Sequence, residues 1–337
     1  MKIVSFILLL SIAIHGYSFE LAENEWIVDG VVFLSAKDAE NSIRDGSKVY
    51  LGPGMFSEGI SINHDDVLIS GSDNTHFVDA VVNRKATFVV NGDNVTIENI
   101  ECSGVAVRDN NGACVRQQGK NLTLSNVYFH DSQQGVLSGK DTGRLLVQFS
   151  RLERLGLKGR AHGIYSANDE LIIRHSTIIN AKDQGHEVKS RAKKTVISSS
   201  VIGSVDSNNS RAVDIPNGGE LSVTNSVVFQ GASTVNRQLF GYGLETMARA
   251  RQHRIRLDNN IFILERPNAN EFLALPKSAD QAIELTVIDN AIIGQNIIDI
   301  AQHKQFNTVY ETRAEARMSP GIPDISTLPA LRLLKAL

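Results

Sequence analysis

Short runs of alternating apolar and polar residues recur along most of this chain. In several of them an asparagine follows the last apolar position, as in Leu122-Thr123-Leu124-Ser125-Asn126. Nine copies begin at Val67, Val95, Leu122, Leu145, Leu171, Thr195, Leu221, Ile255 and Leu285. Successive starts lie between 23 and 34 residues apart. Alternation with a period of two is the pattern of a β-strand, so each copy predicts at least one strand.

A strand pattern that returns every twenty to thirty residues is typical of a solenoid, in which each turn buries its inner side chains against the next. We therefore predict an all-β, single-domain, right-handed parallel β-helix. A leucine-rich repeat does not fit, because there is no leucine consensus and no helix in each repeat. A β-propeller needs longer units. The recurring asparagine suggests a left-handed turn position, which asparagine tolerates well.

The ends of the chain differ from the repeats. Ser35 is placed to cap a short helix that runs through Arg44 and stops before Gly46. The last residues carry three prolines and a leucine-rich end, which we expect to cover the open end of the solenoid. The predicted divisions are a signal peptide at 1–18, an N-terminal cap at 19–50, the β-helix at 51–300 and a C-terminal cap at 301–337.

The first residues predict export. Lys2 precedes an apolar run from Ile3 to Ile14, which is too short to span a membrane and is typical of a signal peptide. We expect a periplasmic or secreted protein, monomeric, with no membrane span. In an oxidising compartment Cys102 and Cys114 could pair, although two buried thiols are an equal alternative.

The charge of the chain limits which classes of molecule it is expected to bind. The formal net charge is −3, so there is no overall basic field for nucleic acid, and any attraction for an anionic substrate must be local. Two long steps between repeats mark insertions at 230–254, which is rich in arginine, and at 264–284. Loops on a rigid solenoid often form the walls of a cleft.

One strand is far more polar than its neighbours, Gly185-His186-Glu187-Val188-Lys189-Ser190-Arg191. His162 and Tyr165 lie one repeat earlier, and Asp214 and Asn217 lie one repeat later. If the three segments stack, they form one patch with acids, cations and bases in contact.

Registering the repeats predicts which side chains face solvent. The inward ladder is Phe88, Val115, Ile164, Val188 and Val213. The outward neighbours are then Val89, Arg116, Tyr165, Lys189 and Asp214. Because strands alternate faces, Glu187 and Arg191 should share the outer side with Lys189. Strict alternation turns His162 and His186 inward, but a bend at the start of the strand could turn them outward.

The segment from Gly52-Pro53-Gly54 to Val67-Leu68-Ile69-Ser70-Gly71 resembles the opening of the pectate-lyase-like superfamily of β-helix proteins. The resemblance covers roughly residues 30–300 and implies the same parallel β-helix.

Glu187-Val188-Lys189-Ser190 resembles a motif of the β-helix alginate and chondroitin lyases. That resemblance implies that Lys189 is the base and that Glu187 contributes to a calcium site, while a reaction without a cofactor is the alternative. Asp214 stands where that family has an arginine. A wider pattern, from His162-Gly163-Ile164-Tyr165 to Tyr242-Gly243-x-Glu245, is similar to a group of secreted bacterial β-helix proteins.

These residues suggest a polysaccharide lyase that acts on a uronic-acid polymer. β-Elimination needs a cation for the carboxylate, a base for the C5 proton and an acid for the leaving oxygen. Arg191 or Arg211 suits the first role and Lys189 the second. Tyr165, His162 or His186 suits the third, or serves as the base if Lys189 acts only through its charge. The expected substrate-binding residues are Arg211, Asp214, Asn217, Arg116, Tyr242 and Glu245.

Three other functions fit the same residues. A C5-epimerase would share the proton abstraction, and a glycoside hydrolase would use Glu187 and Asp214 as paired carboxylates. A non-catalytic carbohydrate-binding protein would use the patch for recognition alone.

Overall fold

The computed structural model describes residues 22–249, 251–277 and 282–323. Within these ranges the chain winds as a right-handed β-solenoid, in which each turn, or rung, adds one strand to each of three sheets. We call these sheets A, B and C. The predicted all-β parallel β-helix with a short N-terminal helix is confirmed.

The strands of each sheet follow one another rung by rung. Sheet A contains Val31–Phe33, Trp26–Val28, Lys48–Leu51, Leu68–Gly71, Thr96–Glu98, Leu122–Ser125, Arg144–Gln148, Glu170–Arg174, Lys194–Ser198, Glu220–Thr224, Arg254–Asp258 and Glu284–Ile288. Sheet B contains Gly54–Phe56, Thr75–Val78, Glu101–Ser103, Tyr128–His130, Arg151–Glu153, Thr177–Ile179, Val201–Ser204, Val227–Gln230, Ile261–Leu264, Ala291–Gly294 and Thr308–Tyr310. Sheet C contains Ile60–Ile62, Ala86–Val90, Ala113–Gln117, Gln134–Lys140, Ile164–Ala167, Val188–Ser190, Val213–Ile215, Gln238–Tyr242 and Glu271–Ala274.

The core is a set of columns of apolar side chains that point into the solenoid. In sheet A one column runs from Ile97 through Leu124, Val147 and Ile173 to Ile197, and each of these side chains is fully buried. Burying a side chain of this size stabilises a fold by about 1.5–3 kcal/mol. Because parallel rungs repeat the same inward positions, the core is continuous along the axis.

An antiparallel pair closes the N-terminal end. Trp26–Val28 pairs with Lys48–Leu51 and with Val31–Phe33, which covers the edge of sheet A. A helix follows at Ala36–Ser42, and the hydroxyl of Ser35 accepts a hydrogen bond from the backbone N–H of Asp38 at 3.3 Å. The predicted cap is thus confirmed, and the helix ends two residues before Arg44. The signal peptide predicted at 1–18 lies outside the described residues.

The C-terminal end is irregular. Two 3₁₀ turns at Ile300–Gln302 and Lys304–Phe306 lead to Thr308–Tyr310, which pairs in parallel with Ala291–Gly294. Sheet B therefore continues past residue 300. Of the C-terminal cap predicted at 301–337, residues 324–337 lie outside the described residues. No helix in the described part of the chain is long and apolar enough to cross a membrane.

A column of left-handed residues marks the turn between sheets A and B. Asn99, Asn126, Asn225 and Asn259 all have φ between 51° and 58°. The side-chain amide of Asn126 donates to Asn99 at 2.9 Å, and that of Asn259 donates to Asn225 at 2.6 Å. The predicted asparagine turn is confirmed. Three rungs in the middle depart from it, with Phe149, His175 and Ser199 at the same position and φ near 50°.

Cys102 and Cys114 form a disulfide, with their Cα atoms 5.9 Å apart. The bond joins the Glu101–Ser103 strand of sheet B to the Ala113–Gln117 strand of sheet C. Of the two alternatives that the sequence left open, the structure therefore has the paired one.

Candidate functional site

The outer face of sheet C carries the predicted polar column. Tyr165 lies beside Lys189 on the next rung, Lys189 lies beside Asp214, and Asp214 lies beside Gly241. The inward partners Ile164, Val188 and Val213 are fully buried. Since neighbouring parallel strands lie about 4.8 Å apart, the column places Lys189 next to both Tyr165 and Asp214.

Lys189 is held between two carboxylates. Its Nζ atom lies 2.9 Å from Oε1 of Glu245 and 3.5 Å from Oδ2 of Asp214. Asp214 is almost fully buried, and burial raises its pKa although the charges of Arg211 and Lys189 act in the opposite direction. The arrangement holds the Lys189 side chain by ion pairs on both sides, one of them to the insertion that carries Glu245.

Arg191 connects the column to two other segments. Its Nε donates to the hydroxyl oxygen of Tyr165 at 2.8 Å, and its terminal nitrogens donate to Asn217 at 2.6 Å and to Glu245 at 2.5 Å. The Val188–Ser190 strand ends one residue earlier, so the Arg191 side chain emerges where the chain leaves the sheet. The guanidinium thus fixes the phenol from one side.

Glu245 comes from the arginine-rich insertion that follows Gln238–Tyr242. The backbone N–H groups of Glu245 and Thr246 donate to the carbonyl of Pro216, and the Asn217 side chain donates to the carbonyl of Thr246 at 3.1 Å. Burial alone would raise the pKa of Glu245, but the hydrogen bonds from Lys189 and Arg191 lower it below its usual value. The insertion therefore brings an ionised carboxylate to the predicted patch.

Arg251 is a further contributor that the sequence did not single out as a site residue. Its guanidinium donates to the carbonyls of Arg191, Ala192 and Gly218 at 2.9–3.2 Å. These contacts tie the insertion to the end of the Lys189 strand. The unusual arginine content of the insertion was the signal that could have identified this role.

The two histidines form the floor of the site. The rings of His162 and His186 lie 5.0 Å apart, and both side chains are almost fully buried. The Nδ1 atom of His162 accepts from the backbone N–H of His186, and the Nδ1 atom of His186 accepts from that of Arg211, each at 3.1 Å. Nε2 of His186 faces Asp214 at 3.7 Å.

Both histidines are neutral at neutral pH. Burial, reinforced by the charges of Lys189 and Arg211, lowers the pKa of His186 to about 3. Burial also lowers the pKa of His162 well below its usual value. Direct proton exchange with a polymer would require an exposed ring, whereas His162 and His186 are buried and each accepts a backbone hydrogen bond. The two rings therefore support the neighbouring side chains from below.

Gly241 makes room for the charged pair beside it. Arg211 donates to Oδ1 of Asp214 at 3.3 Å across the face of this glycine. A Cβ atom at position 241 would lie 2.6 Å from Cδ of Arg211 and 2.7 Å from Oδ1 of Asp214. Any larger residue would therefore displace the pair.

Three expectations from the sequence need correction. Glu187 does not face solvent with Lys189, because it precedes the Val188–Ser190 strand and turns into the solenoid, where its exposure is 0%. Its carboxylate accepts from the side chain of Asn209 and the N–H of Ala181. Burial raises the pKa of Glu187 to about 8, although those hydrogen bonds lower it. A carboxylate enclosed in this way does not fit a calcium site.

The other two corrections concern substrate contacts. Tyr242 points inward and is fully buried, and its hydroxyl donates to the carbonyl of Gly219, so a direct contact with substrate is wrong for this residue. Arg116 does lie on the outer column, but Leu137, from the Gln134–Lys140 strand that the sequence register omitted, separates it from Tyr165.

A groove of about 600 Å³ continues from the site along the surface. Glu245 stands at one side of it, and the predicted insertions form its walls. Its charged lining residues are Arg237, Glu245, Arg249, Glu271 and Lys277.

Comparison with known proteins identifies one family. The family described as "Right handed beta helix region" matches residues 58–228, just over half of the 337 residues. No curated protein and no solved structure matches the chain.

Proposed function

Because the chain belongs to the right-handed beta helix family, whose fold is consistent with polysaccharide-acting enzymes and binding proteins, we propose that it is a lyase for a uronic-acid-containing polysaccharide. The outer face of sheet C around Lys189 and Arg191 is the proposed active site. The protein would act after export, in the periplasm or outside the cell.

One observation carries the proposal. The carboxylate of Glu245 is gripped by Lys189 on one oxygen and by Arg191 on the other, at 2.9 and 2.5 Å. Two convergent cations form a carboxylate site, and Glu245, which they hold, lines the groove. Glu245 is 47% exposed on an insertion, so a uronate carboxylate could take its place.

The chemistry follows from what such a site does to a uronate. With its carboxylate neutralised by Lys189 and Arg191, the proton on C5 becomes more acidic, because the negative charge of the intermediate is stabilised. A base removes that proton, the C4–O bond breaks, and the electrons form a C4–C5 double bond. The leaving oxygen then takes up a proton.

Tyr165 is the proposed proton-transferring residue. Its hydroxyl oxygen accepts from Arg191, which fixes the ring and leaves its own O–H directed away from that bond. Lys189 is the alternative base, and Arg191 alone would then neutralise the uronate carboxylate. The charge on Asp214, with His186 beneath it, then positions Lys189.

The structure bears differently on the three other functions that the sequence allowed. A hydrolase that pairs Glu187 with Asp214 loses one partner, since Glu187 is enclosed. A C5-epimerase and a carbohydrate-binding protein use the same carboxylate site, and the product distinguishes them from a lyase. We propose that the reaction needs no calcium, because the acidic groups of the site, Asp214 and Glu245, are already paired with cations.

The test is a screen in which the protein is incubated with a series of uronate polymers, with and without a chelator. Ultraviolet absorbance and the number of new reducing ends are measured in each reaction. A lyase yields both new ends and the absorbance of an unsaturated sugar, and Tyr165→Phe should abolish both. New reducing ends without that absorbance would indicate a hydrolase. Binding with no product from any polymer would overturn the enzymatic proposal.

A further inference from the structure

A second polar cluster lies on the outer face of sheet B, on three successive rungs. His76, Glu101 and His130 come from the Thr75–Val78, Glu101–Ser103 and Tyr128–His130 strands. The proposed lyase does not use them. Their side chains are 22%, 34% and 14% exposed, so the cluster is partly shielded but open to solvent on one side.

The ligand atoms converge. Nε2 of His76 lies 3.6 Å from Oε1 of Glu101, and Nε2 of His130 lies 3.0 Å from the same oxygen. One ligand atom from each residue lies within 4.8 Å of the others. Ligand atoms about 2.0–2.2 Å from a tetrahedral zinc ion lie about 3.3–3.6 Å apart, so only small side-chain movements separate these atoms from such a site.

The hydrogen-bonding partners of His130 also favour a metal site. Its Nδ1 faces Oδ2 of Asp131 at 2.7 Å, while its Nε2 faces Glu101. A neutral imidazole carries one N–H and can satisfy one of two carboxylates. If the Nδ1–H donates to Asp131, the lone pair of Nε2 faces Glu101 and is placed to bind a metal ion held between the two side chains. A carboxylate on the distal nitrogen of a histidine ligand is the usual arrangement around bound zinc.

The cluster also has a position for a fourth ligand. The hydroxyl of Ser103 lies 2.8 Å from Nε2 of His76, and solvent reaches Glu101. Two imidazoles and a carboxylate suit zinc and its transition-metal neighbours, whereas calcium and magnesium prefer all-oxygen sites. We propose that His76, Glu101 and His130 bind a divalent transition-metal ion of the zinc class and tie three rungs together.

The experiment is calorimetric titration of zinc chloride into the chelator-stripped full chain, made without a polyhistidine tag. One zinc per chain is expected, with a higher melting temperature in its presence. His76→Ala and the nearly isosteric Glu101→Gln should lose that binding, and Asp131→Asn should weaken it roughly 10- to 100-fold. Circular dichroism shows whether each variant is folded.

The matched control is His64→Ala. His64 lies 3.0 Å from Asp45 in a simple histidine–carboxylate pair, and its side chain is 37% exposed. This variant should bind zinc as the unaltered chain does. Absence of stoichiometric binding, or binding that survives in a folded Glu101→Gln variant, would overturn the proposal.

Discussion

The outer faces of sheets B and C both carry polar side chains from three successive rungs, and they hold them differently. On sheet C, Lys189 and Arg191 alternate with carboxylates, and an insertion lies over them. On sheet B, two imidazoles converge on Glu101. The spacing of the rungs is the same in both, so residue type and the covering loop decide between a carboxylate site and a metal site.

The largest expected effect is a loss of catalytic activity when the sheet C face is altered. Arg191→Ala removes a cation from the proposed carboxylate site and should lower kcat/KM by about 100-fold or more, since losing one such charge-stabilising group typically costs that much. Arg191→Lys should restore part of it. Initial rates on the polymer found in the screen give the values.

The control is Lys193→Ala, a nearby exposed lysine that pairs with Asp169. It should leave the rate unchanged. A fully active Arg191→Ala variant would remove sheet C from the catalytic proposal.

The histidine floor should make the fold sensitive to acid. The folded pKa of His186, about 3, lies below its unfolded value of 6.5, so its neutral form contributes stability above pH 6.5 that is lost as the pH falls toward 3. At pH 5 the loss from this group is about 2 kcal/mol.

Urea unfolding at pH 7.5 and pH 5 measures that loss. His186→Gln should reduce the difference between the two pH values. The exposed His64→Gln should leave it as in the unaltered chain. An equal difference in both variants would contradict a neutral buried imidazole at position 186.

Gly241→Ala tests how tightly the sheet C face is packed. The added Cβ meets Arg211 and Asp214 at less than 3 Å, and forcing them aside should cost about 1–3 kcal/mol in the free energy of unfolding. A Cβ atom at Gly139, on the same sheet, has the methyl of Thr142 at 3.3 Å as its nearest contact, so Gly139→Ala should cost much less. Similar costs would mean that the Asp214 pair is freely displaced.

The smallest effect concerns the covering loop. Glu245→Gln removes the charge that pairs with Lys189 and Arg191, so a substrate carboxylate should displace the residue 245 side chain more easily. We expect KM to fall several-fold, which corresponds to about 1 kcal/mol. Glu271→Gln, which alters the Arg237 pair elsewhere in the groove, is the control. A rise in KM for Glu245→Gln would show that this carboxylate helps to build the site.

The repeat pattern was sufficient for the fold and for most of the register. Tyr165, Lys189 and Asp214 could be aligned because each follows a buried β-branched residue in a short strand, and alternation holds inside such strands. It failed for Glu187, which lies before its strand begins. The Gln134–Lys140 rung was missed because its glycine-containing sequence weakens the strand pattern.

The loop contacts could not be predicted in the same way. Glu245 reaches Lys189 through its carboxylate, and Arg251 reaches the carbonyl of Ala192 just after that strand, each across more than fifty residues of the chain. Loop contacts of this kind leave no mark in the repeat pattern. Tyr242 was assigned by resemblance to other sequences, whereas its place two residues after the buried Phe240 puts it in the core.

The three turns without asparagine have a practical consequence. Phe149, His175 and Ser199 belong to the rungs that carry Tyr165, Lys189 and Asp214, but they lie at the opposite side of the coil, between sheets A and B. Left-handed backbone costs most residues more than it costs asparagine. Replacing all three with asparagine would extend the ladder of side-chain amides. Each replacement should add up to about 1 kcal/mol to the free energy of unfolding, and the melting temperature should rise. A heat-tolerant form of the protein could thus be engineered with the working surface untouched; an unchanged melting temperature would show that the Phe149–His175 ring stack already compensates.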